Sequence, residues 1–138
     1  MPILNYTTKV DIYTTLGQIQ GQLVKHGARK IVQDFDPDGN VNAISFAIET
    51  ATGLKAIRLP ANVEAVQRVL GKQKVKCDRF QAQRVAWRIV KDWVEAQMAI
   101  FEAEMVQMDE IFLPYMLDGS GKQTLYEAYR NNQLRLTE

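Results

Sequence analysis

The chain has 138 residues, of which 46% are hydrophobic, 24% charged and 9% aromatic, and its 17 basic residues nearly balance its 16 acidic ones. That is the profile of one ordinary soluble domain with no global field, so any steering toward nucleic acid or an anionic surface has to be local. A single cysteine excludes an internal disulfide, one cysteine with one histidine cannot fill a zinc site, and no run of about 18 apolar residues is present to span a bilayer.

In chain order, Leu4, Tyr6, Thr8 and Val10 alternate at period two and predict a first strand. Asp11 then supplies an N-cap, and Ile12, Leu16, Ile19 and Leu23 place one apolar stripe on a helix over 12–25, with Gly27 as its stop. Period two returns in Ile31, Gln33 and Phe35. Asp36-Pro37-Asp38-Gly39 turns the chain, Ile44, Phe46 and Ile48 lead back inward, and Ile57 and Leu59 mark a third strand closed by Pro60. The expectation is a strand, a crossover helix and a three-strand meander.

Beyond residue 60 the strand signal ends. Asn62 caps a short helix carrying Val63, Val66 and Leu70, which Gly71 is expected to stop, and the polar, basic stretch 72–78 reads as a linker. Asp78 opens the longest element, a helix expected over about 79–112, on the order of 50 Å at 1.5 Å per residue, stopped by Pro114. Thr124 and Glu127 form a capping box for a last helix through Leu125, Tyr126 and Tyr129, after which the chain end is expected to fray. The fold class is therefore α+β: a small, mainly antiparallel sheet with a crossover helix in 1–60, then a helical half, 61–138, built on one long central helix, together one domain over 1–138.

Few residues carry catalytic chemistry. Asp34, Asp36, Asp38, Gly39 and Val41 fall on positions 1, 3, 5, 6 and 8 of a calcium loop, but position 12 is Ser45 and the flanks alternate as strands, so a hairpin turn is expected and no metal. His26, the only histidine, lies in the last turn of a helix, where the dipole favours a cation and a capping role. Cys77 sits between Lys76 and Asp78, an electropositive setting that would lower its pKa. No phosphate-loop or dinucleotide fingerprint is present, and no enzyme and no cofactor are expected.

The charge pattern is more informative. Residues 68–91 hold eight basic residues against Asp78 alone, a local charge of +7, while 92–118 hold seven acids and no Lys or Arg. On one helix this opposes the macrodipole, so local helix stability does not explain it. Lys72, Lys74, Lys76, Arg79, Arg84 and Arg88 are the candidate contacts to DNA or RNA phosphates, with Phe80 or Trp87 available for stacking. The same polarity suits an antiparallel, two-fold dimer, for which Trp87, Trp93, Val94, Phe101, Glu95 and Glu102 are the candidate partner-binding residues. Ordinary i,i+4 pairs, Arg88 with Asp92 and Lys91 with Glu95, are the plainer alternative.

The segments RLPANVEAV (58–66), RVAWRIVKDWVEAQMA (84–99) and IFLPYM (111–116), with the opening NYTTKV (5–10), resemble a family of small proteins found in phages, prophages and mobile elements. No activity or catalytic residue comes with that resemblance. It implies a context: small accessory proteins of such elements, in a bacterial host, often bind nucleic acid, modify replication machinery or block host defence. Taken with the charge pattern and the lack of a catalytic constellation, the leading expectation is a non-enzymatic cytoplasmic protein, off the membrane, that binds nucleic acid through the basic linker and helix start. The alternative is an inhibitor or adaptor of the anti-defence type, engaging a host or phage protein through its acidic helical surface. A start without a charged leader or apolar h-region agrees with the cytoplasmic expectation.

Overall fold

The structure, a computed structural model, describes residues 2–132. Among these residues five α-helices and three strands follow in the order α1 (Ile12–Lys25), β1 (Arg29–Phe35), β2 (Val41–Thr50), β3 (Gly53–Pro60), α2 (Val63–Lys72), α3 (Arg79–Glu102), α4 (Met108–Phe112) and α5 (Leu125–Arg130), with a 3₁₀ turn at Leu113–Tyr115. This is an α+β fold with a three-stranded antiparallel sheet, β1-β2-β3, and one long helix. The expected fraying at the chain end falls on residues outside the described ones. Two compact units interleave along the sequence, so the halves 1–60 and 61–138 are not the compact units. Unit 1 takes the described residues up to His26 together with Pro60–Ala99; unit 2 takes Gly27–Leu59 and the described residues from Ile100 onward.

Unit 1 is helical. In α1 the Asp11 carboxylate accepts the Tyr13 N–H at 3.0 Å, Leu16, Ile19 and Leu23 are fully buried, and His26 is the C-cap, its ring Nδ1 2.6 Å from the Gln22 carbonyl. Asn62 caps α2 by accepting the Ala65 N–H at 3.0 Å. The stop of α2 is not Gly71, which lies inside the helix. Lys74 takes the left-handed conformation at φ 61°, and the Val75 and Lys74 N–H groups close back on the Leu70 and Gly71 carbonyls at 2.9 and 3.1 Å, the Schellman pattern.

Residues 4–10 do not form a strand, so α1 is not a crossover helix. They alternate like a strand, but helix side chains take their backbone groups instead of a sheet neighbour. The Gln81 amide donates to the Tyr6 and Thr8 carbonyls at 3.1 and 2.9 Å, Gln73 accepts the Ile3 N–H at 3.1 Å, and Asn5 donates to Asp92 at 2.7 Å. Asn5 itself sits at φ 65° and its carbonyl accepts the Thr8 N–H, closing a turn that no strand contains.

The long helix is shorter than its apolar pattern predicts. It ends at Glu102 because Glu104 turns left-handed at φ 61°, with Met105 and Glu104 N–H groups returning to the Ile100 and Phe101 carbonyls at 3.2 and 2.9 Å. A new helix, α4, begins after Gln107, whose N–H donates to Glu110 at 3.1 Å. Its 24 residues give α3 a length of about 36 Å.

Unit 2 carries the sheet. Its central strand, β2, buries Val41, Ala43, Ile44, Phe46, Ala47 and Ile48, that is, residues on both faces. β1 pairs with it through two irregularities, one at Lys30, held at φ 56°, and one at Asn42, the extra residue between the pairs Asp34↔Ala43 and Phe35↔Val41. α4 packs on β2 with Phe112 edge-on to Phe46, ring centres 5.2 Å apart. The segment after the 3₁₀ turn bridges to β3 at Ile57↔Met116 and then to itself at Leu117↔Thr124, where the Thr124 and Glu127 capping box opens α5.

Candidate nucleic-acid interface

The basic stretch between α2 and α3 belongs entirely to unit 1, and its side chains alternate. Lys72, Lys74 and Lys76 are exposed, whereas Gln73, Val75 and Cys77 between them are half-buried. The alternation follows from the helix stop. Left-handed Lys74 turns Val75 back over α2, and the Gln67 amide holds the Cys77 carbonyl at 3.2 Å, so the lysines face outward. Among the described residues none of the three forms an ion pair, and Phe80, the second residue of α3, is 65% exposed.

The arginines behave differently. Arg79 stands 3.7 Å from Glu64, an exposed pair worth little and easily exchanged for another anion. Arg84 donates through Nε and Nη2 to Gln81 Oε1 at 2.9 and 2.6 Å, and Arg88 donates to Gln18 at 2.6 Å and, at 3.5 Å, to Thr15 of α1. Their partners are neutral, so both keep their charge, but their side chains are committed to holding unit 1. The Arg88 to Asp92 pair is replaced by these contacts, while the Lys91 to Glu95 pair forms at 2.6 Å.

Two of the residues singled out for partner binding are inside the chain. Trp87 and Val94 are fully buried, with Met98 1% exposed, so they are not surface residues and Trp87 offers no stacking face. Trp93 and Phe101 are half-buried, and Glu95 and Glu102 are exposed. Trp87 and Val94 belong to the buried stripe of α3.

The Cys77 thiol lies above its ordinary pKa. Burial is the main cause and the adjacent Asp78 adds to it, with Arg84 opposing, so the electropositive expectation is reversed and the thiolate is disfavoured. In the aspartate turn, Asp36 Oδ1 accepts the Asp38 and Asn40 N–H groups, each at 2.9 Å, Gly39 takes φ 82°, and Asp34 receives the Ser45 hydroxyl at 2.6 Å. These are hairpin interactions. Among the described residues no group of three or more His, Cys, Asp or Glu is arranged to hold a metal ion, and no helix is long and apolar enough to cross a membrane. No family model, curated protein or solved structure matches the chain.

Proposed function

We propose that the protein is a non-enzymatic, nucleic-acid-binding accessory protein whose contact surface is the row of Lys72, Lys74 and Lys76, extended by Arg79 and by Phe80 as a stacking ring. The observation that carries this reading is the outward alternation of three lysines without an acidic partner among the described residues. Unpaired ammonium groups on one short segment neutralise successive phosphates and release their counterions, while an exposed aromatic accepts an unstacked base. Arg84 and Arg88 add field rather than direct contacts. Single strands are the favoured substrate, because one row of charges with one ring suits a flexible backbone with accessible bases.

The test is fluorescence anisotropy of labelled single-stranded and duplex DNA at about 50 and 200 mM salt. Three phosphate contacts on a single strand give a slope near −2, so affinity drops on the order of tenfold to twentyfold across that range. Changing Lys72, Lys74 and Lys76 together to Glu abolishes binding. Binding unaffected by that triple change overturns the assignment.

A further inference from the structure

Unit 2 contains a cleft of about 400 Å³ on the sheet, in the size range of small-molecule sites. Asp34 at the end of β1, Asn42 at the β2 irregularity and Arg58 of β3 line it, and Lys122 reaches it from the loop before α5. Phe35 and Leu117 give it apolar walls.

Three features distinguish it from an ordinary surface dip. First, two of its lining residues each carry a buried polar atom without a hydrogen-bond partner among the described residues, the acceptor Asn42 Oδ1 and the donor Arg58 Nε, both just beneath the surface. Such orphans are costly, and native chains keep few of them. Second, Arg58 is half-buried yet forms no ion pair among the described residues, although Asp34 lines the same cleft. Opposite charges thus line one cleft without a salt bridge between Asp34 and Arg58. Third, Ser45 occupies only Oδ2 of Asp34, at 2.6 Å, which fixes that carboxylate and leaves Oδ1 to accept.

We propose that this cleft binds a free α-amino acid with an apolar side chain. The site offers two acceptors, Asp34 and Asn42, and two cationic donors, Arg58 and Lys122. A zwitterion presents the complementary pair of groups a short distance apart: its ammonium meets Asp34 and Asn42, and its carboxylate meets the guanidinium and ammonium. The terminal amide torsion of Asn42 is soft, so its oxygen turns into the cleft at small cost. Phe35 and Leu117 receive the side chain. A phosphate ligand is disfavoured by the fixed Asp34 charge, and a simple cation by Arg58 and Lys122.

The experiment is a ¹H–¹⁵N titration of the full chain with L-leucine and L-phenylalanine, beside N-acetyl-L-leucine, L-leucinamide and adenosine monophosphate. The free amino acids should shift the amides of Asp34, Asn42 and Arg58 at millimolar concentration. Both blocked analogues should bind at least tenfold more weakly, because each loses one charge-assisted pair. Asp34→Asn and Arg58→Gln should each weaken leucine binding to a similar degree, and Lys122→Ala, a change at an exposed loop residue that leaves the fold intact, should weaken it less. No shift with either amino acid, equal binding of the blocked analogues, unchanged binding by Lys122→Ala and Arg58→Gln together, or a response to the nucleotide alone would each overturn the proposal.

Discussion

Both units contain a long irregular segment, and they hold it by opposite means. In unit 1, residues 4–10 are tied by side chains, the Gln81 amide and the Asn5 to Asp92 bond. In unit 2, residues 116–125 are tied by main chain: the Leu117 N–H reaches the Ala56 carbonyl at 2.9 Å, Asp118 N–H reaches Gln123, and Leu125 N–H reaches Met116. Main-chain bonds survive any side-chain substitution that keeps the backbone in place, whereas a side-chain tether is lost with one residue. The same local pattern of alternating apolar residues can therefore end as a strand or as a tethered coil, depending on which donors face it.

The largest test of this contrast is made in unit 2. Phe112→Ala removes the fully buried partner of Phe46 and should lower stability by about 3–5 kcal/mol in urea unfolding. Leu117→Ala, by contrast, should leave the Leu117 amide as protected from hydrogen exchange as in the parent chain. Loss of that protection would mean that side-chain packing, not main-chain bonding, holds the segment.

A smaller effect is expected where the tether is a side chain. Gln81→Ala strips the Tyr6 and Thr8 carbonyls of their donor and frees Arg84 from Oε1, which should cost about 1–3 kcal/mol and raise exchange at the Thr8 amide. Gln81→Glu serves as the sharper variant. It keeps the length and the bond to Arg84 but cannot donate while ionised, so it should release the opening segment as fully as alanine does. Exchange rates unchanged in both variants would remove the tether from the account.

The helix break between α3 and α4 gives a third measure, of opposite sign. Glu104 occupies a left-handed conformation that favours glycine, so Glu104→Gly should stabilise the chain by up to about 1 kcal/mol. Glu104→Val should do the reverse, since a β-branched residue is strained there. If the glycine variant melts at a lower temperature than the parent, the stop is set by something other than this backbone geometry.

These cases also show which parts of the architecture the sequence displays. α1, the start of α2, α5, the three-strand meander and the turn at Asp36 are written in caps and periodicity, and they form where those signals place them, whereas α2 runs past its expected stop at Gly71. The false strand at residues 4–10 and the overlong helix failed for different reasons: a distant donor decides the first, and a local stop without a recognisable residue decides the second. Gln81 is 73 residues from Thr8, and the stop at Glu104 uses a residue with no left-handed preference where Gly would have been the legible signal. The lysine row was legible as alternating charge, but not the withdrawal of Arg84 and Arg88 into neutral contacts. Asn42 and Arg58 gave no local sign of the cleft, because Asn42 becomes its floor only through a register irregularity and Arg58 reads as an ordinary outward residue of β3.

The smallest expected effect concerns the bridge Leu117↔Thr124, whose loop is organised by Asp118. Its carboxylate accepts the Ser120 hydroxyl and N–H at 2.5 and 3.0 Å and the Gln123 amide at 2.8 Å, while its backbone closes on Gly121, at φ 72°, and on Gln123. The Ser120 hydroxyl bond, then the Gln123 bond, hold this carboxyl below its ordinary pKa of 3.8. A depressed carboxyl pKa means that the folded chain releases this proton more readily than the unfolded one. The stabilisation is thus fully present above pH 3.8 and is lost as the pH falls through the folded value. Asp118 is solvent-exposed in its charged end, so the loss should be small and local, read from the carboxyl-carbon titration and from the Leu117 and Thr124 amides rather than from global melting. Ser120→Ala should bring the titration back toward 3.8, since it deletes the leading cause of the shift. If instead the loop amides stay unchanged through the titration of Asp118, the main-chain bridge needs no side-chain support at all, and the contrast between the two units becomes stronger than the hydrogen bonds of this loop imply.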